Sequence, residues 1–347
     1  MPCTCGELVQ GILEGEPFLV SCPIDRYSRV RVTVGSSEQE ETPSRPNPKN
    51  GAADFQDDRV RRIARTGSPA GGDSFPGKAL RAAQATLALL GYAGIPFSLE
   101  LYRSLPPSKG FGTSTADVVG AIVASAAAVG AALDPAEVAR LAVAVEPSDA
   151  TMFPGLAFFN HRTGRQWEIL GQSPSMPVAV LDFEGGVDTL DYNAGLDLEL
   201  LRSLEPDHTQ ALKLLWQGLK LGRLELVGRA ATASARINQQ LLAKPELERV
   251  IDLGERFGAL GVCVAHSGTA MGVLFAPGES LSARRLLAVV RGSLRGLREG
   301  WLSRMVGGGA KSVFSHEDGE KRATESMGVL RTSLSVSDSV LPRVRPR

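Results

Sequence analysis

PPSKGFGTSTAD, residues 106–117, is the stretch on which the reading of this chain turns. A strand with alternating apolar residues, IPFSLELYRSL (95–105), runs into it, and a long helix of small residues begins inside it. Gly110 and Gly112 remove side chains that would crowd the backbone, while Thr113, Ser114 and Thr115 place three hydroxyls at the helix start. Such a start gathers unpaired backbone N–H groups at the positive end of the helix dipole, a natural seat for an anion, and its small hydroxyls can ligate magnesium. The alternative is an ordinary helix cap whose glycines only make the turn. Taken alone, the segment supports both readings equally.

A second glycine segment competes for the same task. GDSFPGKA (72–79) nearly matches the pattern glycine, four residues, glycine, lysine, hydroxyl residue. It fails because Ala79 has no hydroxyl and the preceding RTGSPAG is no buried strand. Lys78 is therefore expected to be a helix-start residue outside the phosphate site, dispensable for nucleotide binding.

Composition narrows the partners. The 347 residues are 43% hydrophobic and 22% charged, enough for two modest domains with their own cores. Lysine plus arginine equal aspartate plus glutamate at 38 each, so no global field draws the chain to nucleic acid or an anionic membrane, and a small molecule is the expected partner. Val118–Leu133, the longest uncharged stretch, is shorter than the roughly 18 apolar residues of a membrane span and reads as a buried helix. No charged leader opens the chain, so a reducing, cytoplasmic compartment is expected. Cys3 and Cys5, without a second pair or a nearby histidine, do not make a zinc site and read as small residues at a strand start. No pattern signals a particular oligomeric state.

Outward from the loop, PFLVSCPI and YSRVRVTV within residues 17–34 predict a strand pair. Residues 35–75 lack any stable period and predict a long, partly mobile surface excursion. A helix follows over 77–90. Asp134, Pro135 and Glu137 form a cap, a first-turn proline and a capping-box acid, so a helix should run to Glu146 and stop at Pro147. GLAFFN and QWEIL predict a hairpin, and PVAVLDF opens a second domain near residue 175. Helices are expected at about 207–221, 223–240 and 246–258. The hairpin GVCVAH–SGT–AMGVLFA, a helix over ARRLLAVVRGSL and a strand near EGWLSRMV complete it, and the residues after 307 predict a mobile tail.

Several motifs together resemble those of the GHMP kinases. PPSKGFGTSTAD is similar to the second family signature, with Phe111 in the apolar place and Thr113 and Ser114 as the hydroxyl pair. PCTCGELVQG (2–11) resembles the first signature in the form used by the L-threonine kinases of cobalamin biosynthesis, GVCVAHSGTAMGVLF (261–275) resembles the third, and EPSDATMF (146–153) resembles the acidic segment of the threonine kinases. The third signature has fewer glycines than in mevalonate or galactose kinases, with His266 and Ser267 in their place. No lysine precedes Lys49, so the N-terminal lysine of several other branches is absent, which favours the threonine branch. The chain also begins almost on its first signature, so either the sheet is shortened by its edge strand or the chain starts further upstream.

The resemblance implies an α+β, two-domain GHMP kinase fold, its first domain (1–172) with a left-handed βαβ crossover and its second (173–306) ferredoxin-like, the active site lying between them. It implies ATP held by Pro107, Ser108, Lys109, Gly110, Phe111, Gly112, Thr113, Ser114 and Thr115, with Mg2+ on Ser114 and Glu146. Asp149 would deprotonate or orient the acceptor hydroxyl. His266, Ser267, Gly268 and Thr269 would lie where substrate meets phosphate, and Glu7 and Asp25 are candidates for an acceptor amino group. The implied reaction is phosphorylation of L-threonine to O-phospho-L-threonine. Homoserine as acceptor, or a sensor that keeps the fold without turnover, are the alternatives.

Overall fold

The computed structural model describes residues 1–35, 60–65, 77–186 and 197–311. Strands β1 (Pro2–Leu13) and β2 (Glu16–Val34) form an antiparallel hairpin around Glu14 and Gly15, both at positive φ. The two apolar runs expected to be a strand pair are one continuous 19-residue strand. Pro23 does not break it because the register shifts on both sides, β2 bulging between Ile24 and Tyr27 and β1 between Thr4 and Glu7, so that a missing N–H costs no regular ladder bond. β2 then changes partners: its first half pairs with β1 and, at Leu19 and Val20, with β5 (Leu156–Phe159), and its second half pairs with β4 (Phe97–Arg103). β6 (Trp167–Gly171) closes the expected hairpin with β5.

Most of the 35–75 excursion lies outside the described residues, but part of the expectation is corrected: Val60–Arg65 is strand β3, hydrogen-bonded along β4. VRRIAR is too charged and too short to signal a strand by pattern; the edge of β4 selects it.

Three helices cover the β2–β4 face: α1 (Gly77–Leu89), α2 (Thr113–Ala128) and α3 (Pro135–Val145). Leu80, Leu87, Val119, Ile122 and Val138 pack there on Leu99, Leu101, Phe153 and Phe159. α3 begins as its sequence dictates, with Asp134 accepting from Glu137 N at 2.8 Å and the Glu137 carboxylate accepting from Asp134 N at 2.9 Å.

The second half of the chain follows a strand, helices, two strands, a helix and a strand. β7 (Pro177–Phe183) leads into α4 (Leu198–Ser203), α5 (Glu205–Leu221), α6 (Leu224–Asn238) and α7 (Leu247–Arg256). β8 (Gly261–Val264), β9 (Met271–Leu274), α8 (Ser280–Val290) and β10 (Leu297–Arg304) follow. α4 is an additional short helix; the other elements lie where the sequence placed them. The antiparallel order β10-β7-β9-β8 is the ferredoxin-like arrangement, as expected. β8 pairs with β1 at Glu7↔Val264, so one sheet of order β10-β7-β9-β8-β1-β2-β4-β3 runs through the described residues. α5 and α6 cover β1 through Leu212, Leu215, Val227 and Ala230.

The start of the expected tail is also corrected. Gly308 N donates to Gly155 O at 2.8 Å and Gly309 N to Thr151 O at 2.7 Å, so residues 307–311 are packed on the first half. The remainder, 312–347, lies outside the described residues.

One buried ion pair fixes α2 in this frame. Arg103 of β4 donates through Nε to Asp117 Oδ2 at 2.6 Å, and the Ser28 hydroxyl of β2 donates to Oδ1. Asp117 lies one turn beyond Ser114, so both strands hold the helix by its first turns. Asp117→Ala should therefore cost about 3–5 kcal/mol of folding stability, the range for breaking a buried pair, read from urea unfolding midpoints. A decrease within error would mean that packing alone seats the helix.

Candidate active site

The loop before α2 is shaped by what leans on it. Gly112 caps the helix at φ 60, and a Cβ there would overlap the Asp149 carboxylate and the Thr4 side chain. Gly110, at φ 86, has no room for a Cβ against Ala265 and the Ser267 carbonyl. Thr4 N donates to Phe111 O at 2.8 Å, and Lys109 O accepts from Thr269 N at 3.1 Å and Ala270 N at 3.0 Å. The loop is thus clamped between β1 and the β8–β9 turn, with the Phe111 ring buried 5.5 Å from that of Trp301 on β10.

Three carboxylates converge on this loop. α3 ends at Glu146 in an extended conformation, φ −164, as the residue before Pro147 must. That turn brings the Glu146 carboxylate onto the Ser114 hydroxyl and to 2.7 Å from the Lys78 ammonium. Asp149 follows, its N–H donating to Thr115 Oγ1 at 3.1 Å. Burial, and then the charge of Glu146, pushes the Asp149 carboxyl up to about 6, against the Thr115 hydroxyl, which lowers it. Glu7, on β1, is pushed well above the usual carboxylate range by burial and by Asp149. Its Oε2 has no hydrogen-bond partner among the described residues.

These groups border one cleft of about 610 Å³, open to solvent. From the sequence reading it brings together Ser108, Gly110, Phe111, Gly112, Thr113, Ser114 and Thr115 of the loop with Glu146, Asp149, Glu7, His266 and Ser267. A cleft with three acids, one neutralised by a lysine, favours cations: a divalent ion beside phosphate and a ligand ammonium. Mg2+ takes oxygen ligands from one or two carboxylates and substrate phosphates. The Ser114 hydroxyl and Glu146 carboxylate meet that need. No cluster of three or more His, Cys, Asp or Glu among the described residues offers another metal site.

Five expected residues lie elsewhere. Lys109 is buried, and its ammonium donates to Phe183 O at 2.7 Å and to Gly185 O, with Asp182 at 3.6 Å, so its charge is held at the end of β7. Asp25 accepts from the Ser303 hydroxyl and, at 2.9 Å, from Arg304 N, so it ties β2 to β10 and does not line the cleft. Thr269 Oγ1 donates to Phe183 O at 3.1 Å, and Gly268 packs on the Lys109 backbone. Pro107 is exposed on the shoulder of the loop.

Two residues to which the sequence reading gave no site role stand in or beside the cleft. Lys78 is at the helix start as expected, and its ammonium meets the Glu146 carboxylate that borders the cleft. A cation in the first turn of α1 opposes the helix dipole unless an acid pairs with it, and that misfit was the available signal. His161 is buried beside the cleft, 5.0 Å from the His266 ring, and burial and His266 hold it well below the usual histidine range. Nothing in NHRTG marks it.

Relatives of known kind match along this frame. The profile for the N-terminal domain of the GHMP kinases covers residues 77–154, and that for their C-terminal domain covers residues 213–287. An L-threonine kinase of Salmonella typhimurium is 30% identical, over 89% of this chain and 93% of its own length. A homoserine kinase of Moorella thermoacetica is 28% identical over 55% of this chain and 66% of its own. The crystal structure of the Methanococcus jannaschii mevalonate kinase shares the fold, with a TM-score of 0.60 and 16% identity, over 88% of this chain and 96% of that one. Two family domains matched in order, and a relative aligned along nearly its whole length, make this chain a member of the GHMP kinase family.

Proposed function

We propose that this kinase transfers the terminal phosphoryl group of ATP to the side-chain hydroxyl of L-threonine, giving O-phospho-L-threonine and ADP for the aminopropanol phosphate arm of cobalamin. The observation that carries it is Asp149 standing against Gly112, within the same cleft as Ser114 and Glu146. A hydroxyl held by Asp149 faces the place where the loop would hold the transferring phosphoryl. Residues 1–172 and 173–306 are read as the two units around the cleft, and the four buried, free cysteines suit a cytoplasmic setting. Threonine is preferred to homoserine because the match to a threonine kinase extends over far more of the chain.

The roles divide by environment. The glycine loop and the first turn of α2 receive the phosphates with backbone N–H groups. Ser114 and Glu146 would hold Mg2+, which when bound neutralises charge developing on the phosphoryl oxygens. Lys78 orients Glu146 and adds a positive charge beside the loop. Phosphoryl transfer passes through a loose transition state that demands little early deprotonation, so Asp149 chiefly orients the hydroxyl and takes its proton late. Glu7 faces the cleft as the seat for the acceptor ammonium.

Mass spectrometry of a reaction with L-threonine and Mg-ATP should find O-phospho-L-threonine; rapid phosphorylation of homoserine with none of threonine would reassign the acceptor. Absence of turnover with either, alongside normal ATP binding, would favour the sensor reading.

Glu146→Gln should weaken the dependence of rate on magnesium and lower kcat. Lys78→Ala should lower kcat by about 10-fold, the order of effect of removing one charged hydrogen bond. Unchanged kinetics in Lys78→Ala would return this lysine to a purely structural part.

Asp149 supplies a pH signature. Its carboxyl titrates near 6 in the fold against an ordinary 3.8, so it is protonated and unable to accept below that value. Turnover should rise with pH through about 6 and then level. The same shift favours the fold below the unfolded pKa, and that advantage disappears as pH rises through the folded one. Asp149→Asn should thus abolish the rise in rate near pH 6 yet melt higher than wild type at pH 8 and no higher at pH 3.5. A kcat decrease of about 100-fold or more would make Asp149 a full general base; near wild-type kinetics would remove it from the site.

A further inference from the structure

The rings of His161 and His266 stand between the active cleft and a second, small cavity lined also by Gln10, Arg162, His208 and Asn238. Several polar groups here are buried and poorly satisfied. Neither ring nitrogen of His161 has a hydrogen-bond partner among the described residues, and the same holds for both side-chain heteroatoms of Asn238 and for Lys244 Nζ. His161, Asn238 and Lys244 are 3%, 2% and 4% exposed, so bulk water does not serve them. The segment carrying Lys244 is fastened: its N–H donates to Gln239 Oε1 and its carbonyl accepts from Gln239 Nε2 at 3.0 Å. His266 is fixed through Nδ1, 2.7 Å from Gln10 Oε1.

A buried ammonium with no partner is costly, and so are unbonded imidazole and amide groups. His161 and Asn238 line this cavity and the Lys244 charge acts on His266; groups of this kind gathered about one wall point to an anion that satisfies them in the working state. Lys244 is lowered only to about 8 by burial, so it is charged at neutral pH. Both histidines are held neutral by burial, with Lys244 and Arg162 adding to the effect on His266, and a neutral ring still donates one N–H. The acids Glu7, Glu146 and Asp149 occupy the cleft itself, so the two charges are separated across it.

We propose that this wall is the carboxylate subsite of the acceptor: His161 donates a hydrogen bond to the carboxylate, Lys244 and Arg162 supply the positive field, and Asn238 helps satisfy them. The inference rests on the acceptor being a hydroxylated amino acid phosphorylated at Asp149. In such a molecule the carboxyl carbon is only a few bonds from the hydroxyl oxygen, so the acid can reach only a group bordering the cleft, as His161 and His266 do. The cleft then sorts one small zwitterion by charge, its ammonium towards Glu7 and its carboxylate towards the histidines. Hydroxylated amines or amides that lack the acid are rejected.

The test compares L-threonine with L-threonine amide, at saturating Mg-ATP, in the full-length wild type and in Lys244→Met, His161→Phe and His161→Gln. Wild type should favour the acid in kcat/KM by about 10- to 100-fold, the scale of one charged hydrogen bond. Lys244→Met and His161→Phe should each raise the KM for threonine and collapse this preference, with kcat much less affected. Lys244→Met should also melt higher than wild type, because an unpartnered buried ammonium has become an apolar side chain. His161→Gln, which retains a donor, should recover part of the preference. Equal use of acid and amide by wild type overturns the subsite while leaving threonine as acceptor. So does a Lys244→Met protein with wild-type preference, which would mean that the cavity holds only water. If homoserine is phosphorylated and threonine is not, the proposed acceptor falls, and the ratio of homoserine to its amide, with the same expected collapse in the variants, decides the subsite. Turnover of neither acid overturns both.

Discussion

The close approach of the Asp149 carboxylate to the α carbon of Gly112 is the constraint on which the site depends. With any other residue at the cap, a Cβ would occupy the place of the carboxylate, and either the acid or the loop would have to move. The left-handed backbone of Gly112 and its lack of a side chain therefore do two things at once. They turn β4 into α2, and they let an acid stand at the mouth of an anion-binding helix start. The clamps around the loop maintain this approach: β1 holds Phe111, the β8–β9 turn holds Lys109, and Arg103 with Ser28 holds Asp117.

Such an arrangement concentrates negative charge. Glu146 and Asp149, on the segment that ends α3, are brought together with Glu7 of β1, and burial raises the carboxyls of Asp149 and Glu7, as expected when acids share a desolvated cleft. The fold tolerates this because Glu146 is paired with Lys78 and bonded to Ser114. The acids that remain unpaired leave the cleft suited to cations. The opposite imbalance lies by the two histidines, where the Lys244 ammonium, without a hydrogen-bond partner among the described residues, acts on His266. Charge of one sign on each side of a small cleft is a means of orienting a zwitterion before any chemistry begins.

Lys109 shows how the same loop links the two halves of the sheet. Its backbone carries the β8–β9 turn, and its ammonium reaches the end of β7. A residue beside the glycine loop is thereby committed to holding that loop against the second unit. The loop cannot shift without disturbing β7, so its position is shared with the ferredoxin-like part.

Much of this was legible in the sequence. The glycine loop, the capping box of α3, the break at Glu146–Pro147 and the alternation in β4 are local patterns, and each gives the element it suggests because backbone sterics and capping act within a few residues. The joint order of the motifs carried the family and the cleft-forming residues. What the sequence could not supply were long-range choices. β3 exists because β4 has an edge to cover. β2 runs unbroken through Pro23 because its register with β1 shifts on both sides of it. Most plainly, Lys78 and Lys109 each follow or precede a glycine near a helix start, and local chemistry does not distinguish them. Packing of α1 against α2 and α3 swings Lys78 onto Glu146, while the β8–β9 turn steers Lys109 to the carbonyls of β7. Which lysine meets the acid is decided by where the surrounding helices and strands bury their apolar faces, and no short stretch of sequence carries that information.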